Sequence, residues 1–128
     1  MSTVHVEIQV SDLGAGKAFY GAILGWQFEQ MGDMDYFLII GQGIGPGQPV
    51  TGGLLLRNGP VPAEGTPPRG ALCTFQVNDV DAAYAKALSL GGGEGFPPED
   101  YPGVGRVCAC EDGHGNLFGM IQSAKETE

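Results

Sequence analysis

Residues 4–12, which read VHVEIQVSD, decide the fold. Apolar and polar side chains alternate strictly along them, so that one face carries Val4, Val6, Ile8 and Val10 and the other carries His5, Glu7 and Gln9. Alternation with a period of two predicts a β-strand with one packed face and one polar face. Ser11 and Asp12 then predict the start of a helix, because a short side-chain oxygen accepts hydrogen bonds from the free N–H groups of the first turn.

The helix expected after Asp12 ends at a glycine, and the whole unit occurs twice. Apolar residues four positions apart between 19 and 24 form one helical stripe, and Gly25 supplies a left-handed stop. Residues 72–80, LCTFQVNDV, repeat the strand and the cap 67 positions later, and a second helix is expected over 79–90. The chain therefore reads as two copies of one module.

Further strands complete each module. Proline and glycine fill residues 58–70, which we interpret as a linker between a first module, 1–57, and a second module, 71–123, of one domain spanning 1–128. Two proline- or glycine-rich segments, 41–49 and 96–105, are predicted to be loops, the second holding at most a stub of a strand. The fold class is α+β, with two tandem βαβββ modules. The strands are expected at 26–30, 36–40 and 51–57 in the first module, and at 71–77, 106–110 and 117–122 in the second.

The amino-acid composition limits which classes of function are expected. The 128 residues are 42% hydrophobic, with fifteen Asp and Glu against six Lys and Arg and a net charge of −9. This balance argues against nucleic acid and anionic membranes as partners. The chain has no apolar run of 18 residues and no basic segment ahead of an apolar one, so we expect no membrane span, no secretion signal and a cytoplasmic location. The three cysteines are expected to be buried.

The paired modules, and particular residues in them, resemble the vicinal oxygen chelate superfamily, the group of glyoxalases, bleomycin-resistance proteins and extradiol dioxygenases. The matching features are His5 seven residues before Asp12, the segment from Phe19-Tyr20 to Leu24-Gly25-Trp26, and Asp112 with Gly115-Asn116 ahead of the last strand. The resemblance covers nearly the whole chain. It implies that the modules form an open, cup-shaped barrel of mixed and antiparallel strands, that small molecules bind inside the cup, and that the chain forms a homodimer.

The resemblance also implies where a divalent metal would be held, namely on the first and last strands of both modules. His5 is the only matching ligand position. The equivalent positions fall on Leu72 in the second first strand, on Gly119 in the second last strand, and near Gly53 in the first module. Because a divalent cation needs three or more protein ligands, we expect no metal and no other cofactor. A site completed by Glu7, Cys73, His114 or a partner chain stays open as an alternative.

The polar face of the first strand supplies the candidate catalytic pair, His5 and Glu7. Histidine titrates near neutral pH and a nearby carboxylate favours its charged form, so the two residues suit general acid–base chemistry. Both residues are also compatible with a binding cup that performs no reaction. The other candidate ligand-binding residues are Gln9, Thr74, Gln76, Arg57, Tyr101 and Arg106. Tyr101 would lie in the 96–105 loop, a candidate lid.

These observations predict a protein of the glyoxalase/bleomycin-resistance type that binds a small molecule in the cup without a metal. A lyase- or isomerase-like reaction at His5 and Glu7 is one version of this function. Two alternatives remain: a metal-dependent enzyme such as a lactoylglutathione lyase or a dioxygenase, and a non-catalytic protein that sequesters a cationic drug.

Overall fold

The structure, a computed structural model, describes residues 5–40, 51–67 and 70–123, with His5 and Thr51 described by their backbone alone. The described chain forms ten elements in the order βαβββ–βαβββ. The first module contains β1 (His5–Val10), α1 (Leu13–Leu24), β2 (Gln27–Gln30), β3 (Tyr36–Ile40) and β4 (Thr51–Leu56). The second contains β5 (Thr74–Gln76), α2 (Val80–Ser89), β6 (Gly93–Tyr101), β7 (Gly105–Glu111) and β8 (Leu117–Ser123).

Each module builds one four-stranded mixed sheet. The strand orders are β1-β4-β3-β2 and β5-β8-β7-β6. In each sheet the first strand pairs in parallel with the last, and the remaining pairs are antiparallel. The two sheets do not close on each other, which agrees with an open cup. The predicted fold class, α+β with two tandem βαβββ modules, is confirmed.

The two faces of β1 differ as the alternation predicts. Ile8 and Val10 are buried in the core, whereas Glu7 and Gln9 are exposed on the opposite face. Helix α1 packs on the apolar face, and the fit is close, because a β-carbon at Gly16 would lie 3.0 Å from the Val10 side chain. The sheet of the first module therefore has one face covered by α1 and one face that carries polar groups.

Both helices begin at the aspartates that the repeat identifies. The Asp12 side chain accepts a hydrogen bond from the Ala15 N–H at 2.8 Å, and Asp79 accepts one from the Ala82 N–H at 3.1 Å. Gly25 ends α1 with φ of 71°, a left-handed conformation that glycine adopts without a steric cost. The same local chemistry thus starts the crossover connection in both modules.

Aromatic rings from both modules join in one core. Tyr20 of α1 stacks on Trp26 with ring centroids 5.4 Å apart, and it lies 5.5 Å from Phe118 of β8. Trp26 also meets Phe75 of β5 edge to face at 5.1 Å. Because such pairs stabilise a core beyond the area that they bury, α1 holds the second sheet as well as its own.

The prediction for residues 96–105 is wrong, because β6 extends from Gly93 through Tyr101. Two features accommodate its prolines. β6 lies at the edge of its sheet, where a missing N–H on the outer side breaks no pairing, and its register against β7 shifts between Glu94 and Phe96 and again between Phe96 and Glu99. Tyr101 therefore ends a strand, and the segment is no loop-shaped lid.

The first strand of the second module is shorter than predicted, and one cysteine is placed differently. β5 begins at Thr74, so Leu72 and Cys73 precede it and both are exposed. The prediction that all three cysteines are buried is wrong for Cys73 and confirmed for Cys108 and Cys110. Residues 74–76 form the strand that pairs with β8, and backbone hydrogen bonds to β8 extend by one residue on each side, to Cys73 and Val77.

The remaining expectations are a loop at 41–49 and the absence of a membrane span. The predicted loop at 41–49 lies outside the described residues. Across the described ranges, no helix is long and apolar enough to span a membrane.

Candidate functional site

A cavity of about 330 Å³ lies at the seam between the two modules, and we call it the seam cavity. Val6 and Ile8 of β1 line one side of it, and Phe75 and Phe118 of the second module line the other. Tyr20 of α1 also lines this space, and so do linker residues around Pro62. The volume falls within the range of small-molecule sites, about 300–1,000 Å³.

Few polar groups are found at the seam cavity among the residues that the structure describes. There, Glu7 and Arg57 are the charged lining residues, and Asn116, Thr66 and the exposed Cys73 add uncharged polar groups. The cavity thus contains two of the residues that the sequence indicates, Glu7 and Arg57. Apolar walls with a small number of polar groups are typical of sites that bind small organic molecules.

Glu7 forms a pair with a tyrosine that sequence reasoning missed. The Tyr36 hydroxyl donates a hydrogen bond to Glu7 Oε2 at 2.9 Å. The Tyr36 ring occupies the space over Gly53, where a β-carbon would collide with it. Partial burial, followed by the hydrogen bond to the Glu7 carboxylate and its negative charge, raises the pKa of Tyr36. His5 opens β1, but its side chain lies outside the described part of the structure.

The residues at the family's metal positions do not fit a metal centre. Tyr36 fills the position at Gly53, and Thr74 fills the one at Gly119, where a β-carbon would lie 2.6 Å from Thr74 Oγ1. Leu72 offers no ligand atom. Among the described side chains, which exclude His5, no three His, Cys, Asp or Glu residues lie together as a metal site would require. The absence of a metal stays a prediction.

Arg57 connects the modules. Its guanidinium donates to the His114 carbonyl oxygen from Nε at 3.1 Å and from Nη2 at 2.9 Å. Nη2 also lies 3.4 Å from the Gln9 carbonyl and 3.3 Å from Asn116 Oδ1. Asn116 Nδ2 donates to the same Gln9 carbonyl at 2.6 Å. Arg57 and Gln9 therefore belong to a polar bridge between β1 and the turn before β8, and the Gln9 side chain accepts from the Asn58 N–H at 3.3 Å.

A buried carboxylate extends this bridge. Asp112, which is 2% exposed, accepts from the Tyr20 hydroxyl at 2.7 Å and from Asn116 Nδ2 at 2.8 Å. Its other oxygen accepts from the N–H groups of His114 and Asn116 at 2.7 and 3.1 Å. Burial, and then the negative charge of Asp112, raises the pKa of Tyr20 well above its ordinary value. The Asp112-x-x-Gly115-Asn116 segment that carried the resemblance thus serves the contact between modules.

The remaining candidate residues lie elsewhere. Thr74 is exposed on β5, and the Gln76 side chain bonds Ser123 within its own module. Tyr101 and Arg106 line a shallower groove of about 280 Å³ at one end of β6, β7 and β8. Arg106 forms a two-point ion pair with Asp81 at 2.8 and 3.0 Å, and Tyr101 donates to Glu99 at 3.1 Å. The structure therefore does not bring all six predicted ligand-binding residues to one site.

The chain belongs to the Glyoxalase/Bleomycin resistance protein/Dioxygenase superfamily, whose family model matches residues 2–120. One curated relative is CFP32 of Mycobacterium bovis, a protein named as a glyoxylase. It is 38% identical to this chain over 52 residues. That stretch covers 41% of this chain and 20% of CFP32, so the match spans a fifth of the relative's length.

Solved structures of the superfamily share the fold. The antibiotic binding protein TnmS3 from Streptomyces sp. CB03234 is 25% identical, with a TM-score of 0.61 over 97% of each chain. The fosfomycin resistance protein FosX from Listeria monocytogenes is 15% identical, with a TM-score of 0.69 over 96% of this chain and 91% of FosX. The hypothetical protein SA1046 of S. aureus is 22% identical, with a TM-score of 0.66 over 95% and 97%.

Proposed function

We propose that this protein binds a small organic molecule in the seam cavity and that it does so without a divalent metal. The observation that carries the proposal is the cavity itself, an apolar space lined by the first strands of both modules and by α1. Glycines at 53 and 119, with Tyr36 and Thr74 packed over them, support the absence of a metal. The likeness to TnmS3, an antibiotic binding protein, supports binding over chemistry.

The proposal is tested by substituting larger side chains for residues that line the cavity, so that they fill it. Cys73→Phe and Ala71→Phe each add a ring at an exposed residue that lines the cavity, so we expect both variants to fold. A library of metabolites and antibiotics is screened by thermal shift, once with EDTA and once with manganese, nickel, zinc or iron(II). We expect ligands that stabilise the wild type equally with and without metal and that lose their effect in both variants.

The matched control is Leu90→Phe, which adds the same ring at an exposed position outside the cavity. It should respond to ligands as the wild type does. Stabilisation that needs a metal, or that survives both cavity variants, would contradict the proposal.

The Glu7–Tyr36 pair favours a second candidate function, general acid–base catalysis of a lyase or isomerase type. A carboxylate hydrogen-bonded to a phenol at 2.9 Å combines a proton acceptor and a proton donor, and Glu7 also lines the cavity. His5, two residues before Glu7 on the strand, is the proposed third member. If this function is correct, Glu7→Gln and Tyr36→Phe should abolish turnover, for example of methylglyoxal with glutathione, while ligand-induced stabilisation persists.

We further propose that the protein acts as a homodimer in the cytoplasm. The resemblance supports the dimer, as do exposed apolar residues at the ends of two strands of the first sheet, Ile40 and Leu56. Sedimentation equilibrium should give twice the chain mass of 13.3 kDa. A mass of one chain at micromolar concentration would contradict the dimer.

A further inference from the structure

We infer that the seam cavity selects a neutral, flat aromatic molecule of about two fused rings and discriminates against a cation. This inference rests on the proposed function, because it names the ligand class of the same site. It also departs from the expectation that an acidic protein of this family sequesters a cationic drug.

The walls argue for an aromatic ligand. Tyr20, Phe75 and Phe118 come from three different elements, and the Phe118 ring centroid lies 5.5 Å from that of Tyr20 and 6.3 Å from that of Phe75. Rings in tilted and edge-to-face arrangements favour a further ring at similar spacing. An apolar cavity of about 150 Å³ holds benzene, so the volume of about 330 Å³ has room for roughly two fused rings.

The charges argue for a neutral ligand. Within the described part of the lining, the two charged side chains, Glu7 and Arg57, have opposite charges, so this lining carries no net charge. Each of them already has a protein partner, since Arg57 donates to the His114 carbonyl and Glu7 accepts from Tyr36. A charged ligand would leave water for apolar walls and would have to compete for these groups. Moving an uncompensated charge from water into such surroundings costs free energy, whereas a neutral ring does not carry this cost. The net charge of −9 draws cations to the surface at long range, but it does not change the walls of this cavity.

The single tryptophan offers a direct readout. Trp26 stacks on Tyr20 and meets Phe75 edge to face, so filling the cavity should change its fluorescence. Three probes with one ring system and different charges are titrated: naphthalene-2-carboxamide, 2-naphthoate and 2-naphthylmethylammonium. We expect the neutral carboxamide to bind at least about tenfold more tightly than either ion.

Two variants locate the binding. Cys73→Phe should weaken carboxamide binding at least about tenfold, because its ring occupies the cavity that the ligand needs. Leu90→Phe should leave the affinity unchanged. Far-ultraviolet circular dichroism of both variants checks that the fold is intact, and Ala71→Phe replaces Cys73→Phe if the latter does not fold.

The outcomes separate the ligand class from the proposed function. Tightest binding by the ammonium probe, or equal affinity for all three probes, overturns the inference and leaves the proposed function standing. The same holds if none of the probes binds although a ligand from the screen loses its effect in Cys73→Phe. If no probe and no compound from the screen binds more weakly to the cavity variants than to the wild type, both the inference and the proposed function fail.

Discussion

The ends of β1 and β5 are equivalent in the repeat but differ in their contacts. At the end of β1, the Gln9 carbonyl accepts from Asn116 and Arg57 and so joins the second module. At the end of β5, 67 residues later, the Gln76 side chain bonds Ser123 within its own module. The repeat therefore fixes the topology of each half, whereas the polar bridge to the other half lies at the end of β1.

The two helices show the same difference. α1 buries five residues, among them Phe19, Tyr20 and Leu24, and reaches Phe118 of the second sheet. α2 buries only Val80 and Ala87. The seam cavity lies where α1 crosses toward the second module, so the helix that holds the modules together also shapes the candidate site. If this account is correct, contacts across the seam should matter more for stability than similar contacts within one module.

The largest effect should follow from Asp112→Ala. The carboxylate accepts four hydrogen bonds inside the protein, and its removal leaves the buried Tyr20 hydroxyl and two backbone N–H groups without their acceptor. We expect a loss of about 3 kcal/mol or more in the free energy of unfolding, measured by urea titration. Glu94→Gln, which alters an exposed 3.4 Å contact to Tyr84 in the second module, is the control and should change little. Equal losses in both variants would remove the distinction between the seam and the modules.

Tyr20→Phe should cost about 1–2 kcal/mol, because it removes one donor from buried Asp112 while the ring packing stays. The matched change Tyr84→Phe in α2 affects a weaker, exposed bond and should cost about 0.5 kcal/mol or less. A larger cost for Tyr84→Phe than for Tyr20→Phe would reverse the comparison of the helices.

Tyr20 also predicts a dependence on alkaline pH. Its pKa in the folded protein is raised well above its ordinary value by burial and by Asp112, so the stability linked to it is complete below the unfolded pKa of about 10. This stability is lost as the pH rises from there through the folded pKa. Urea titrations from pH 9 upward should show a smaller decline for Tyr20→Phe than for the wild type, and parallel curves would argue against a buried phenol.

The two arginines at predicted site positions give the next comparison. Arg57→Ala should cost about 1–2 kcal/mol, because it removes the bonds to the His114 carbonyl across the seam. Arg106→Ala breaks an exposed ion pair with Asp81 and should leave the urea midpoint nearly unchanged. Similar midpoints for the two variants would mean that the bridge at Arg57 contributes no more than a surface pair.

The smallest effect concerns Asp81. The hydrogen bond from Arg106 lowers the pKa of Asp81, so the stability linked to this group is present above the ordinary aspartate pKa and is lost as the pH falls through the lowered one. Carboxyl ¹³C titration by NMR should show the Asp81 pKa returning toward its ordinary value in Arg106→Ala. An unchanged value would assign the shift to another cause.

The sequence predicts local structure better than it predicts the site. Alternation and the caps at Asp12 and Asp79 depend on neighbouring residues, so β1, both helices and the repeat could be read directly. β6 was missed because its prolines are tolerated only at a sheet edge with a shifted register, which depends on the pairing with β7.

The site depends on contacts between distant residues. Tyr36 lies 29 positions from Glu7, and its ring has space only because Gly53 faces it in the folded sheet. Residues 36–40 read as a strand, but nothing local shows which side chain meets Glu7. The sequence indicates Arg57 as a candidate ligand-binding residue, but it does not show that the acceptor of its guanidinium is a carbonyl in a turn 57 residues further on. Position in the sequence indicated the face of Glu7 correctly but not its partner.

Metal content is the decisive measurement, because we propose that Gly53, Gly119 and Leu72 leave no metal centre. Protein purified without chelator, and then incubated with nickel, zinc, manganese or iron(II) and desalted, is analysed by plasma mass spectrometry. We predict no metal above background in either sample and no difference in Glu7→Gln. Near-stoichiometric metal that is lost in His5→Ala or Glu7→Gln would contradict the account and would indicate a metal-dependent enzyme of the superfamily.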